Sequence, residues 1–502
     1  MLLTAELLLY YQRCSRRAFL DIYGDITQRD LPSDYLLKLR RDSLKHQHQI
    51  LSEQTWHKPE YPEGNWQAGL EATVALMRQG VDLIHRAVLL SESPQGLKLF
   101  SRPTLLTKQP GYSYFGDWIY VPTEVKLSKR PKLEYQIASA FDTQILATIQ
   151  GAWPETAWIL LRGKDPHAVD LWKLVPQMQD LLEACIETLG LSQAPEVFIS
   201  RNRCNLCHWF NHCYRLAQQQ EHLSLVPGVT PSRYPQLQAL NFTTVQDLAS
   251  AQPHQLERLP GFGKEVAQKL VRQAQSLVQN KALLIPQNGS WNQGQQPQDG
   301  DGDLAVSSSL LADLPTGAVE LYFDIEAEPE LNLAYLLGVL VVDRHTNTDT
   351  FYELLAERPE DEPLIWQQFL DLVWQYPEAP IFHFCPYEAQ TVERLAKLYS
   401  TPLHQVKPLL TRFIDLHEQV TNKVTLPIES YALKHIARWL GFNWRDPSAN
   451  GAQTICWYTD WLESQDRSYL EAIARYNEDD CRAMYHLKDW LVGFLQPSQP
   501  PI

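Results

Sequence analysis

Hydrophobic and polar positions divide the chain into helix-like and strand-like segments whose order changes along its length. Short apolar runs at 118–121 and 156–161 are typical of strands. Apolar positions spaced three and four apart predict helices over 132–149 and 172–189. Residues 222–280 show helical spacing alone, with proline–glycine turns between the segments. The pattern therefore predicts a mixed α/β region followed by a helical one.

Three further segments mark boundaries of predicted elements or domains. Residues 1–10 are apolar around Glu6, and we expect a helix there rather than a signal peptide. A break at Gly80 separates a predicted helix from a predicted strand over 81–90. Residues 286–303 are rich in Gly, Gln, Asn and Asp and have almost no apolar side chain, which predicts a linker.

A new strand-like run begins at Val319 and opens a second α/β domain. We therefore expect an α/β multidomain protein. The predicted parts are an α/β domain at 1–220, a helical hairpin region at 221–283, a linker at 284–315 and an α/β domain at 316–495.

Composition limits the classes of function. The 502 residues are 44% hydrophobic and 21% charged, as in a soluble globular protein, and no run is long enough to span a membrane. The net charge of −15 argues against nucleic-acid binding over the whole surface but leaves room for local basic grooves. Four of the eight cysteines share no spacing, and we expect free thiols in a reducing cytoplasm: Cys185, Cys385, Cys456 and Cys481.

The remaining cysteines have the spacing of a metal site. Three stand within residues 204–213, and Cys14 lies far upstream. Thiolates from one short loop reach a single zinc ion or iron–sulfur cluster, and the upstream thiol would tie the two ends of the domain together. Zinc with His208 or His212 in place of Cys14 is the alternative. The candidate ligands are Cys14, Cys204, Cys207 and Cys213.

Glu124 and Lys126 lie two apart on a predicted strand, so both side chains face the same side. A carboxylate there is able to hold a divalent metal, and a lysine beside it polarises a water or a phosphate. A surface ion pair is the alternative for so short a motif.

With the flanking cysteines, this layout resembles the RecB-like nucleases that carry an iron–sulfur cluster, and in particular bacterial proteins that fuse such a domain to an RNase H-like domain. The resemblance implies a restriction-endonuclease-like α/β fold and a 4Fe–4S cluster on the cysteines. It also implies a metal at Glu124, a supporting Gln136, and an upstream histidine at His46 or His48. Thr104 stands where the family has a metal-binding aspartate, which predicts a weakened or inactive site.

The helical region contains a glycine hairpin between two predicted helices. Gly261 and Gly263 allow a tight turn and leave backbone N–H groups open to a phosphate, and Lys264 adds charge. Pro227 and Gly228 open a weaker copy. This is the form of a helix–hairpin–helix, which contacts the DNA backbone without reading sequence. A glycine turn between two ordinary helices is the alternative.

The last domain carries acidic residues at spacings that suit a two-metal site. Asp324 and Glu326 share one face of a predicted strand, and Tyr476 and Asp480 share one face of a predicted helix. Glu388 follows another predicted strand. Three carboxylates would be enough to hold two Mg²⁺ ions.

This order of motifs resembles the DEDD exonucleases of the RNase H-like superfamily, and the segments 412–416 and 430–434 match their central region. The resemblance implies that the strand pair and the helical aspartate hold Mg²⁺ or Mn²⁺ and that Tyr476 orients a water. Glu388 stands where the family has an aspartate, which lengthens one arm of the site. Asp479 is expected to be exposed.

We therefore expect a metal-dependent nuclease, with 3′–5′ exonuclease action on single-stranded DNA in repair or recombination as the leading hypothesis. Its predicted partner is nucleic acid, with no membrane. A DNA-binding adaptor that no longer cuts and an RNA exonuclease are the alternatives. The sequence does not identify a protein partner.

Overall fold

The computed structural model describes residues 2–93, 96–285 and 314–496, so the predicted linker at 286–303 lies outside the described residues. The chain forms two compact units, Met1–Leu216 and Ala217–Ile502. None of the described helices is long and apolar enough to cross a membrane.

The first unit is built around a mixed sheet. Its strands are β1 (Leu2–Thr4), β2 (Leu83–His85), β3 (Leu89–Glu92), β4 (Lys98–Ser101), β5 (Leu105–Ser113), β6 (Gly116–Lys126), β7 (Ala157–Leu161) and β8 (His167–Val169). The larger sheet has the order β2-β5-β6-β7-β8, and only β6 and β7 are parallel. A smaller sheet has the order β1-β4-β3.

Helices cover these sheets. They are α1 (Ala5–Arg13), α2 (Ser15–Tyr23), α3 (Asp34–Ser52), α4 (Trp66–Gln79), α5 (Leu133–Gln150), α6 (Leu171–Leu189), α7 (Arg201–Cys204) and α8 (Phe210–Gln219), with a 3-10 turn at Ile26–Gln28. Helix α5 supplies fully buried side chains to the core, including Phe141 and Ile145. Its bounds and those of α6 lie within a residue of the predicted ones.

Two predicted elements of this unit are wrong. The first residues are not helical throughout, because Leu2–Thr4 pairs with β4 as a parallel strand. Thr4 then caps α1 by accepting the N–H of Leu7 at 2.9 Å. The predicted strand over 81–90 is two short strands, since Arg86 has a φ of 53° between them and interrupts the extended backbone.

The second unit begins with short helices. They are α9 (Tyr234–Ala239), α10 (Val245–Ser250), α11 (Pro253–Leu256) and α12 (Lys264–Gln279), after a 3-10 turn at Leu223–Leu225. The predicted hairpins are present, since Gly228, Gly261 and Gly263 have φ values of 93°, 80° and 104°. These left-handed angles strain any side chain with a Cβ.

A five-stranded sheet organises the rest of this unit. Its strands and a small flanking pair are β9 (Leu283–Leu284), β10 (Val319–Glu328), β11 (Leu333–Asp343), β12 (Thr348–Leu355), β13 (Ile381–His383), β14 (Phe413–Asp415) and β15 (Val424–Thr425). The order is β12-β11-β10-β13-β14, with an antiparallel meander from β10 to β12 and parallel pairing of β10, β13 and β14.

Helices lie on both sides of that sheet. They are α13 (Glu362–Val373), α14 (Tyr387–Leu398), α15 (Leu403–Leu410), α16 (Leu416–Lys423), α17 (Leu433–Trp439), α18 (Gly451–Ser464) and α19 (Ser468–Leu495), with a 3-10 turn at Pro359–Asp361. Helices α18 and α19 pack against β10, which brings their polar residues to the central strand. The predicted mixed α/β architecture with a helical hairpin region is confirmed.

Candidate functional site

Strand β10 places two carboxylates at the centre of the second sheet. Asp324 and Glu326 alternate with the buried Phe323 and Ile325, so their side chains leave the same face of the strand. The register of β10 and β11 shifts just after Glu326. This irregularity shifts the pairing register directly beside the acidic pair.

Helix α19 completes a group of three carboxylates. Tyr476 and Asp480 are one turn apart on this helix, as predicted from their i, i+4 spacing. Ligand oxygens of Asp324, Glu326 and Asp480 all lie within 4.8 Å of one another. Oxygens so close together, from acidic residues, are the donor set that Mg²⁺ and Mn²⁺ prefer.

Each of the three carboxylates is fixed by a neutral donor. The amide of Asn477 donates to Asp324 at 2.6 Å, the hydroxyl of Thr454 to Glu326 at 2.6 Å, and the indole N–H of Trp444 to Asp480 at 2.7 Å. The sequence did not predict these three supports, because they come from segments far from the acidic pair. They orient the carboxylates without adding a competing positive charge.

A glycine makes room for one of these supports. Gly338 on β11 is the cross-strand partner of Asp324. A Cβ at Gly338 would lie 1.6 Å from Oδ1 of Asn477. The bare backbone therefore allows Asn477 to reach Asp324, which explains why this position in a buried strand has no side chain.

Glu388 lies beside the group rather than within it. It occupies the first turn of α14 and is 4% exposed. Its Oε2 has no hydrogen-bond partner among the described residues and lies 3.4 Å from Nδ1 of His383. The electrostatic influence of Glu388 reaches Asp324 and Glu326. A buried carboxylate whose close polar side-chain neighbour is His383 is suited to act as an additional cation ligand.

The electrostatics of the group favour cation binding. Desolvation raises the pKa of Asp324 well above its ordinary value, and the charges of Asp480 and Glu326 add to the shift. Desolvation likewise raises the pKa values of Glu326, Asp480 and Tyr476. Negative charge gathered in a poorly solvated site is relieved by a bound divalent ion.

One expectation about this helix is wrong. Asp479 is 4% exposed rather than an exposed helix residue. Its carboxylate accepts the Nε–H of Arg445 at 2.8 Å and the backbone N–H of Arg445 at 2.9 Å. Helical spacing alone does not reveal the loop that covers this side of α19.

The hairpins of the second unit present glycines and cations at a helix start. Gly263 is the N-cap of α12, and Lys264 is its first residue. The carbonyl of Gly261 accepts the Nε–H of Arg233 at 2.9 Å. The predicted residues Gly261, Gly263 and Lys264 therefore lie together on one turn.

Comparison with known families assigns both regions. The model of the RNase_H superfamily matches residues 321–492, which include all the acidic positions described above and Tyr476. The second unit contains an RNase H-like domain. The model of the SAM-like helix-hairpin-helix tandem matches residues 220–276, which confirms the predicted hairpins. No curated protein matches the chain.

An RNase H-like domain next to a helix–hairpin–helix tandem indicates a nuclease that binds nucleic acid. Nucleases with RNase H-like domains use divalent metals, and the group of Asp324, Glu326 and Asp480 suits them.

In the first unit, some of the other predicted site residues are in contact. Glu124 is buried near the end of β6 and accepts the N–H of Thr104 at 2.9 Å and its hydroxyl at 3.1 Å. Lys126 lies 2.8 Å from the second oxygen of Glu124. Burial alone would lower the pKa of Lys126, but the charge of Glu124 raises it. Thr104 therefore does occupy the position facing Glu124, and the Glu124–Lys126 pair is an ion pair with one buried partner.

Of three more polar residues in the first unit, only Asp142 interacts electrostatically with this pair. His46 lies on α3, where its Nε2 is buried without a hydrogen-bond partner among the described residues. Gln136 donates its amide to the carbonyl of Pro131 at 2.8 Å. Asp142 on α5, which the sequence did not single out, is 2% exposed and accepts the hydroxyl of Ser101. Desolvation, and then the charge of Glu124, raises the pKa of Asp142.

The four cysteines predicted as metal ligands lie in the same region of the first unit. Cys14 separates α1 from α2, and the thiols of Cys204, Cys207 and Cys213 are all close enough to interact with it electrostatically. Burial raises the pKa of each of these three thiols. Among the residues with coordinates described above, no three cysteine thiols lie within 4.8 Å of one another.

Proposed function

We propose that the chain is a metal-dependent 3′–5′ exonuclease acting on single-stranded DNA, and that hydrolysis takes place in its RNase H-like domain. The observation that carries this proposal is the group of three carboxylates within 4.8 Å on β10 and α19. Tyr476 shares the helix face of Asp480, as in the exonuclease subclass that the motif resembles.

Asp324, Glu326 and Asp480 would hold the divalent ions, with Glu388 as a further ligand. When bound, such ions supply Lewis-acid activation of water and neutralise charge on the scissile phosphate. The residues of the chain do the positioning. Trp444, Thr454 and Asn477 keep the carboxylates in place, and Tyr476 aligns a water with its hydroxyl.

Purified full-length chain should shorten a 5′-labelled single-stranded DNA oligonucleotide with Mg²⁺ or Mn²⁺ and leave it intact with a chelator. Asp324→Ala should abolish this cleavage, because it removes a ligand from the carboxylate group. Asp371→Ala is the matched control, since Asp371 is exposed on α13 away from the group. Gel electrophoresis resolves the products.

Undiminished cleavage by Asp324→Ala would overturn the proposal. Blocking the 3′ end of the oligonucleotide should stop cleavage if the polarity is 3′–5′. An RNA oligonucleotide of the same sequence separates the DNA exonuclease from the RNA exonuclease.

We further propose that the site in the first unit does not cut. A RecB-like metal site needs two free carboxylates, but Thr104 replaces one, and the other, Glu124, already accepts two hydrogen bonds from Thr104 and an ion pair from Lys126. The other nearby carboxyl, Asp142, accepts the hydroxyl of Ser101, and desolvation raises its pKa, which favours the neutral form. The residues present therefore do not fit a catalytic metal. Glu124→Gln should leave oligonucleotide cleavage unchanged, whereas loss of cleavage would assign the chemistry to the first unit.

The four cysteines fit an iron–sulfur cluster better than zinc, and we propose that they hold a 4Fe–4S cluster. Around one zinc ion, with Zn–S bonds of about 2.3 Å, tetrahedral thiolates lie roughly 3.8 Å apart. Among the described residues no three thiols lie within 4.8 Å of one another, and the ligands of a 4Fe–4S cluster each bind a different iron. The backbone N–H of Ser200 donates to Cys204 at 3.4 Å, which is the kind of contact that stabilises a ligating sulfur.

Protein purified without oxygen should be brown and absorb broadly near about 400 nm, with iron and sulfide in equal amounts. Cys14→Ser should lose this absorption, because one ligand is removed, and Cys185→Ser should retain it, since Cys185 is buried in α6 away from the cluster. A colourless protein that contains zinc would contradict the iron–sulfur assignment.

A further inference from the structure

The helix–hairpin–helix region is fixed to the RNase H-like domain by contacts of its own. Strand β9, which follows α12, pairs antiparallel with β15. Gln273 of α12 is 4% exposed and donates its amide to the carbonyl of Leu426 at 2.8 Å. Ser276, fully buried, contacts the carbonyl of Thr425 at 3.3 Å. Buried polar contacts of this kind hold the two regions at one distance and angle.

The segment 424–434, which contacts the hairpin region at one end, lies near Tyr476 at the other. The hydroxyl of Tyr431 accepts the N–H of Leu426 at 2.9 Å and donates to Gln273 at 2.9 Å. Three residues later, Lys434 on α17 places its Nζ 5.7 Å from the ring of Tyr476. The distance between the hairpins and the carboxylates is therefore set by a short, internally bonded stretch.

Arg233 joins the two hairpins to each other. Its Nη1 donates to the carbonyl of Gly228 at 2.8 Å, and its Nε donates to that of Gly261 at 2.9 Å. One guanidinium thus spans both glycine turns. Both turns consequently have fixed positions relative to the RNase H-like domain.

A cleft of about 250 Å³ lies between the first hairpin and the RNase H-like domain. The hairpin side is lined by Gly228, Arg233 and Lys269 together with the apolar Val266 and Leu270. Thr421 and Thr425 lie on the opposite wall. A lysine ammonium such as that of Lys269 is a usual partner of phosphodiester oxygens. Lys269 is 47% exposed and pairs with the exposed Glu265, an interaction that a phosphate readily replaces.

We propose that this cleft, with Lys269 on its wall, holds the backbone of a single nucleic-acid strand whose end reaches the carboxylate group, so that the chain favours strands long enough to occupy both. The proposal rests on the proposed nuclease function. It predicts that catalytic efficiency rises with strand length and then levels once the strand fills the cleft.

The test uses a ladder of labelled single strands of increasing length and the full-length chain. Lys269→Ala should lower kcat/KM on long strands about tenfold through KM, which is about 1.4 kcal/mol, and leave the shortest strands unaffected. Lys281→Ala is the matched control, because Lys281 is exposed just beyond α12 and does not line the cleft. DNA and RNA ladders of one sequence show which backbone is preferred.

Equilibrium binding of the same ladder, measured by fluorescence anisotropy with a chelator present, provides a readout without cleavage. Affinity should rise with length and fall in Lys269→Ala. Length-independent binding and cleavage, or equal effects of Lys269→Ala and Lys281→Ala, would overturn the cleft proposal. Absence of cleavage at every length with intact length-dependent binding would count against the nuclease function and support the cleft.

Discussion

Asp480→Asn should lower kcat for oligonucleotide cleavage by roughly a thousandfold, or about 4 kcal/mol, with little change in KM or melting temperature. The amide keeps the size of the carboxylate, so the indole N–H of Trp444, 2.7 Å away, still has an oxygen to bond. What disappears is the negative charge that a divalent ion requires. Steady-state kinetics and a thermal melt of the full chain measure both effects.

Asp489→Asn is the control for that change, since Asp489 lies on the same helix but pairs with Arg344 instead of the acidic group. It should cleave at the normal rate. Activity of Asp480→Asn within tenfold of the unchanged chain would show that Asp480 is not a metal ligand.

Lys488→Met should destabilise the second unit by roughly 3 kcal/mol and lower its melting temperature by several degrees. Lys488 is 2% exposed and pairs with Glu320, which is fully buried. Methionine fills a similar volume but leaves the Glu320 carboxylate with Arg344 as its remaining cation. The loss of an ion-pair partner lowers the free energy of unfolding more when the remaining charge is buried than when it is exposed to water. Urea titration of the full chain measures the loss.

The double variant Glu320→Gln/Lys488→Met should recover part of that stability, because the Glu320 charge, which has lost one of its two cationic partners, is then removed as well. Lys397→Met, at an exposed position of α14, controls for the substitution itself. Equal stabilities of Lys488→Met and Lys397→Met would show that the buried pair contributes nothing.

The sequence predicted the parts of the carboxylate site that depend on local geometry. Asp324 and Glu326 share a strand face because a strand repeats every two residues, and Tyr476 and Asp480 share a helix face because they are one turn apart. The glycine hairpins were predictable for the same reason, since Gly261 and Gly263 occupy backbone angles that other residues avoid.

The rest depends on contacts between distant segments, which periodicity does not encode. Thr454 and Trp444 reach the acidic group only after the loop and α18 pack on α19, and Asp479 is buried by the same loop through Arg445. In the first unit, Asp142 looks like any polar residue of a helix until α5 packs beside Glu124. Pairing of Leu2–Thr4 with β4 is equally non-local.

The close approach at Gly338 has a consequence for recognising such sites elsewhere. In this site an asparagine supports the first aspartate of the strand pair. A chain with the same strand pair and Tyr-x3-Asp helix needs a glycine opposite that aspartate if it is to use the same support. A glycine at this register, paired with an asparagine directly after the tyrosine, offers an uncharged criterion for separating assembled sites from chance matches.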